Sequence, residues 1–164
     1  MAAPSHYYRL ELVPFVDRWP ATTGHPYKDI AELSDANAGF DLYTPADFTV
    51  GPVAALMPLG VRARLVRVEA SGVESDSHFW TFPRSSIYKT GFFMANSAGI
   101  IDKSYRGELK SPLMTAGGGE VIARAGERYV QIVAPDMGWI REVRVVADLP
   151  ETARGAGGFG STGK

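Results

Sequence analysis

Apolar and polar residues alternate along this chain in short runs, and that period of two recurs from the N-terminal region to position 146. Tyr7 to Val13 reads YYRLELV, Val61 to Val68 reads VRARLVRV and Ile140 to Val146 reads IREVRVV. Side chains two residues apart share one face of a strand, so each run predicts a strand with one face in a core. Further β-rich runs are His78 to Phe82, Gly107 to Met114, Gly119 to Ala123 and Arg128 to Val133. Glycine and proline punctuate them at Gly51-Pro52, Pro58, Gly60, Gly72, Gly117 to Gly119 and Pro135. One short helix is expected after Pro83-Arg84-Ser85-Ser86, where proline suits a first turn and serine a cap. The pattern predicts an all-β sandwich or barrel with that one short helix and no internal repeat. Residues 16–36 are polar and contain proline and glycine, so they read as a long loop.

A chain of 164 residues that is 45% hydrophobic holds one globular domain with a real core. We assign it to residues 1–150. Residues 151–164 differ in kind: Arg154 to Lys164 reads RGAGGFGSTGK, too glycine-rich to form a core and free to wrap a ligand. Its backbone N–H groups, Ser161 and Thr162 suit phosphate oxygens, Arg154 can pair bidentately, and Phe159 offers a ring for a base. Gly158 to Lys164 also spells G-x-x-x-x-G-K, but a phosphate-binding P-loop needs a preceding strand and a following helix, which this pattern lacks.

The net charge of −1 gives no bulk attraction to a nucleic acid polymer or a membrane, and leaves a small anion as the expected ligand. Cysteine is absent, so disulfides and thiolate metal sites are excluded. His6, His25 and His78 lack ligand spacing and are expected to be surface or packing residues. The opening MAAPSHYYRLELV is too short and polar for a signal-peptide core, so an intracellular compartment, cytoplasmic or nuclear, is expected.

Four inner segments carry chemistry against this background. Ala38 to Tyr43 (AGFDLY) sets one carboxylate, Asp41, in an apolar strand; a hydrogen-bonded structural aspartate is its ordinary reading. Arg84, Ser85 and Ser86 form either a capped turn or a phosphate site. Asn96 to Lys110 (NSAGIIDKSYRGELK) offers an amide that can match a pyrimidine edge and a carboxylate, Asp102, at the end of a strand. Gly126 to Val133 (GERYVQIV) is a turn feeding a strand, with Gln131 its odd polar member.

The order of these segments says more than any one of them. AGFDLY, PRSS, GIIDKSYRGEL, GERYVQIV and RGAGGFGSTG closely resemble the five ordered motifs of the trimeric deoxyuridine triphosphatase (dUTPase) family, from about Ala36 to Gly163. The resemblance implies a β jelly roll that forms a homotrimer, with a C-terminal arm, 151–164, closing over sites built from all three chains. It implies hydrolysis of dUTP to dUMP and pyrophosphate, which keeps uracil out of DNA and supplies dUMP for thymidylate.

By the same resemblance Asp102 orients and activates the attacking water and bonds the deoxyribose 3′-OH. Tyr105 packs on the sugar and excludes a 2′-OH. Asn96, with the hairpin backbone at Gly99, Ile100 and Ile101, reads uracil, and Lys110 lines the nucleotide pocket. Arg84, Ser85, Ser86 and Gln131 contact the phosphate chain. Arg154, Gly160, Ser161 and Thr162 hold the γ-phosphate, with Phe159 stacked on uracil. The implied cofactor is Mg2+, held mainly by the triphosphate, with Asp41 acting on it through water.

Glu127 stands where the family often has Asp, and Lys103-Ser104 is a variable pair. Residues 16–36 and 72–77 look like insertions that could carry a protein partner. A non-catalytic or moonlighting nucleotide-binding regulator on the same scaffold is the alternative, and a dCTP deaminase the third reading.

Overall fold

The computed structural model describes residues 5–30 and 32–158. Its strands are β1 (His6–Pro14), β2 (Gly39–Tyr43), β3 (Phe48–Val50), β4 (Ala55–Pro58), β5 (Val61–Glu69), β6 (Glu74–Ser77) and β7 (Phe79–Pro83), followed by β8 (Phe92–Met94), β9 (Gly99–Ile101), β10 (Lys110–Thr115), β11 (Val121–Ala123), β12 (Arg128–Val133) and β13 (Ile140–Val145). Two 3-10 turns, Val16–Arg18 and Ser85–Lys89, are the helical elements among the described residues. The all-β expectation therefore holds, with the short helix where it was expected. Its cap differs: Arg84 occupies the cap position, and no side chain caps the turn.

Two four-stranded sheets dominate, ordered β13-β1-β5-β6 and β2-β12-β7-β9. A three-stranded sheet, β4-β10-β8, and a β3-β11 pair complete the set. The alternation seen in sequence becomes the core: Leu10, Leu12, Leu42, Leu65, Leu113 and Ile132 turn inward and are buried. Each such side chain contributes about 1.5–3 kcal/mol by leaving water. The first and last strands meet as a parallel ladder, Leu10 opposite Val143 and Leu12 opposite Val145. The chain beyond β13 returns to the turn that follows β9, where the Arg106 guanidinium donates to the Pro150 carbonyl at 2.8 Å.

Three expectations need correction. Residues 72–77 are not a loop: Gly72 (φ +84°) makes the turn, and Glu74–Ser77 form β6 against Leu65–Val68. Glu74 and Asp76 hid that strand because both faces looked polar, yet Arg9 grips Glu74 through two 2.6 Å bonds. Arg64 Nε donates to Asp76 at 2.9 Å in the same network.

Residues 16–36 are not a bare loop either. Trp19 and Tyr27 are buried, Tyr27 completely, and the Tyr27 hydroxyl accepts the Tyr43 N–H at 3.0 Å. The run from Gly107 becomes a strand only at Lys110. A Cβ at Gly107 would stand 2.5 Å from the Tyr105 hydroxyl, so this glycine serves a close approach before the strand begins.

Candidate active site

The predicted site residues gather in two places. The first is a cavity of about 340 Å³ lined by Thr81, Asn96, Gly99 to Asp102, Tyr105, Lys110, Arg154 and Gly158. Its floor is β9 laid against β7, with Gly99 opposite Thr81. A Cβ on Gly99 would fall 2.2 Å from Thr81 Oγ1, so only glycine allows the hairpin this close to the sheet. Ser97 takes φ 60° at the hairpin tip, and the Ala98 N–H donates back to the Asn96 carbonyl at 2.6 Å.

Asp102 follows β9 directly and opens a turn in which the Tyr105 N–H donates to the Asp102 carbonyl at 2.9 Å. That turn stacks Tyr105 into the wall, 8% exposed, with its hydroxyl donating to the Glu108 carbonyl at 2.9 Å. Burial holds the Tyr105 hydroxyl above the usual tyrosine range, against the lowering effect of Arg154. The Arg154 guanidinium lies 5.6 Å over the Tyr105 ring and makes an ion pair with Asp102. Its Nε donates to the Gly157 carbonyl at 2.8 Å, and the Arg106 N–H donates to the Gly155 carbonyl at 2.8 Å. The root of the glycine-rich arm is thus folded back on this chain's own cavity.

The second place is a cavity of about 510 Å³ holding Asp41, Arg84, Ser85, Arg128 and Gln131 beneath Ile30 and Leu33. Asp41 is paired twice, with Arg84 Nε at 2.9 Å and Arg128 Nη1 at 3.2 Å. Gln131 stands opposite both Asp41 and Phe82, and its amide donates to the Pro83 carbonyl at 3.2 Å. Gly39 leaves room for it, since a Cβ there would overlap the Gln131 Oε1. Ser86 lies in the same 3-10 turn but does not line the cavity. Phe159, Gly160, Ser161 and Thr162 lie outside the described residues.

Asp41 on β2 and Asp102, just beyond β9, stand at opposite edges of one sheet. With the order β2-β12-β7-β9, three strand spacings, about 14 Å, separate those two strands. Gln131 faces Phe82 and Arg84 follows Pro83, at the end of β7 away from Phe79, which faces Ile101, so the length of β7 lies between them and Asp102.

Sequence reasoning missed two residues. Arg128 was read as part of a strand, although the pattern Glu-Arg within the fourth motif already put a cation near Gln131. His78, expected at the surface or in packing, stands 3.4 Å from Asp102. Its neighbour in space is twenty-four positions away in sequence, so spacing alone could not reveal it. Among the described residues no group of three or more His, Asp or Glu could cage a metal, and no helix is long and apolar enough to cross a membrane.

An all-β protein with a hairpin-built cavity beside a carboxylate, and a second pocket apart from it that holds two guanidinium groups, has the concave, part-polar sites that small ligands use. A family model described as dUTPase matches residues 26–163, so within 16–36 only the stretch before residue 26 lies outside it. The chain is 37% identical to the deoxyuridine 5'-triphosphate nucleotidohydrolase of Wolinella succinogenes, over 85% of this chain and 90% of that protein. It is 36% identical to the protein of the same name from Paramecium bursaria Chlorella virus 1, over 79% of this chain and 86% of the other. The crystal structure of dUTPase from Streptococcus mutans shares its fold, with a TM-score of 0.55 and 24% identity over 75% of this chain and 92% of that one. This chain belongs to the dUTPase family, and its fold is the β jelly roll of that family.

Proposed function

We propose that the protein is a dUTP diphosphatase that hydrolyses dUTP to dUMP and pyrophosphate, with uracil in the Asn96–Tyr105 cavity and water activated by Asp102. The observation that carries this reading is the gathering of Asn96, Gly99 to Asp102 and Tyr105 around one cavity of nucleoside size. Asn96 and the backbone of Gly99, Ile100 and Ile101 offer donors and acceptors to the pyrimidine edge, and the close-packed hairpin resists a 5-methyl group. Tyr105 bars a 2′-OH, and Lys110 lines the same wall. A carboxylate is a weak base, so positioning and neutralisation of the triphosphate supply most of the acceleration.

Arg84, Ser85, Ser86, Arg128 and Gln131 bind the phosphate chain. Arg154, Gly160, Ser161, Thr162 and Phe159 complete the closed site when the arm, 151–164, folds over it. The family's need for a divalent cation is met here by Mg2+ arriving with the triphosphate, where it neutralises phosphate charge. The donor set fits that role and not a protein cage: Asp41 is a single carboxylate already shared by two guanidinium groups, and it would act on a hydrated ion through water.

A homotrimer joins the separated halves, the phosphate half of one chain meeting the uracil cavity of the next. The exposed face of β4-β10-β8 supports such packing, because Leu56 opposite Pro112 and Phe93 opposite Met114 make one apolar surface. The same proposal places the enzyme inside the cell, cytoplasmic or nuclear, acting on free nucleotides and on neither nucleic acid polymers nor membranes.

The purified protein should release pyrophosphate from dUTP with Mg2+ and leave dCTP and dTTP intact. Asp102→Asn should lower kcat by orders of magnitude while dUTP affinity stays within roughly tenfold. Near-normal turnover in that variant removes Asp102 from the chemistry; binding without turnover in the native protein would favour a regulator, and ammonia from dCTP a deaminase. Sedimentation should give a trimer.

A further inference from the structure

We infer that His78 is a positioning residue for Asp102, fixing the turn that carries the carboxylate. The inference rests on the assignment of Asp102 as the water-activating group. It starts from register. Phe79 of β7 stands opposite Ile101 of β9, so in this antiparallel pair His78 and Asp102 form the next facing pair beyond the ladder.

His78 is the single residue between β6 and β7, held by the Ser77 hydroxyl, which donates to the His78 carbonyl at 2.9 Å. Its Nδ1 accepts the Lys103 N–H at 3.2 Å and lies 3.4 Å from Asp102 Oδ1. The other carboxylate oxygen, Oδ2, is held by Arg154. Two residues upstream, Asp76 accepts from Arg106 Nη2 at 3.1 Å, while Arg106 Nη1 donates to the Lys103 carbonyl at 2.7 Å. The β6–β7 junction therefore braces the 102–106 turn at both ends.

One imidazole nitrogen cannot serve both neighbours. With Nδ1 unprotonated it accepts the Lys103 N–H, fixes the Asp102–Lys103 peptide and leaves Asp102 Oδ1 free for water. With Nδ1 protonated it loses the Lys103 N–H and donates to Oδ1, which ties up the lone pair that water needs. Asp76, two residues before His78, is already committed to Arg64 and Arg106.

Two substitutions separate the roles. His78→Ala removes the acceptor, and because the side chain is 57% exposed it removes little packing. His78→Asn places an amide oxygen where Nδ1 stood and cannot titrate. We expect Ala to lower kcat about tenfold, one hydrogen bond's worth, with KM for dUTP within about threefold. Asn should restore kcat, because its amide oxygen again accepts the Lys103 N–H.

Amide hydrogen exchange gives a readout independent of catalysis: the Lys103 N–H should exchange faster in the Ala variant and return to native protection in the Asn variant. Native kcat in His78→Ala, no recovery of kcat in His78→Asn, or Lys103 protection indifferent to both would overturn the inference. If the native protein turned over no dUTP, the function reading would fail by itself, and Lys103 exchange would still decide whether His78 holds the turn.

Discussion

Arg154 and Asp102, fifty-two residues apart, form an ion pair that seats the root of the C-terminal arm on the carboxylate assigned to water activation. A triphosphate offers Arg154 more charge than one carboxylate does, so substrate should take the guanidinium and free Asp102 for water. Arg154→Ala should lower kcat by about a hundredfold, as loss of one preorganised donor does elsewhere. Truncation ahead of Arg154 should do at least as much harm, while costing only about 1–2 kcal/mol of stability through the ion pair and the Arg106–Gly155 bond. Steady-state kinetics beside thermal melts would check both, and full activity in the truncated chain would refute the closing-arm role.

Tyr105 joins two tasks that substitution can split. Its ring lines the sugar side of the cavity, and its hydroxyl holds the Glu108 carbonyl. Tyr105→Ala should raise the ratio of UTP to dUTP hydrolysis, because space for a 2′-OH opens. Tyr105→Phe keeps the ring and should keep the ratio, losing about 1 kcal/mol of stability. A ratio unchanged by alanine would put sugar selection elsewhere.

Tyr27 tests whether the segment before the first motif is part of the core. Tyr27→Phe leaves the Tyr43 N–H without its partner and should cost about 1 kcal/mol. Tyr27→Ala empties a fully buried ring site and should cost about 3–5 kcal/mol in denaturant melts. A dispensable loop would show neither loss.

Glu142 gives a pH prediction. The Tyr7 hydroxyl donates to it at 2.7 Å and, with Arg144, holds its carboxyl below the usual range against the opposing effect of burial. A depressed carboxyl stabilises the fold above its unfolded pKa, and that contribution is lost as pH falls through the folded value. Tyr7→Phe should therefore lower stability near pH 7 by about 1 kcal/mol, and the gap from native protein in thermal melts should close below about pH 4. A gap that persists in acid would assign the loss to packing.

Many of the strands were readable, β1, β5 and β13 from alternating apolar and polar residues and β12 as a β-rich run, while their order in the sheets was not. Where one face carried charge and the other serines the signal vanished: β6 holds Glu74 and Asp76 against Arg9 and Arg64, and such pairing is visible only across strands. Tyr27 escaped notice because proline and glycine around it resemble loop chemistry, although a tyrosine in such a stretch can anchor it to the core. The motifs marked Asp102, Tyr105, Asp41 and Arg84 at once. Nothing local could mark His78, since its meeting with Asp102 depends on the β7–β9 register.

The separation of the Asp102 cavity from the pocket of Asp41 and Arg84 has a genetic consequence. In the proposed trimer an Asp102→Asn chain spoils the uracil half it contributes but still lends a sound phosphate half to its neighbour. An Arg84→Ala chain does the reverse. Two alleles, each silent alone, should therefore complement when co-expressed, because mixed trimers contain a site in which both halves are intact. A chain damaged in both halves would instead act as a dominant poison, disabling sites on either side of it in every assembly it joins.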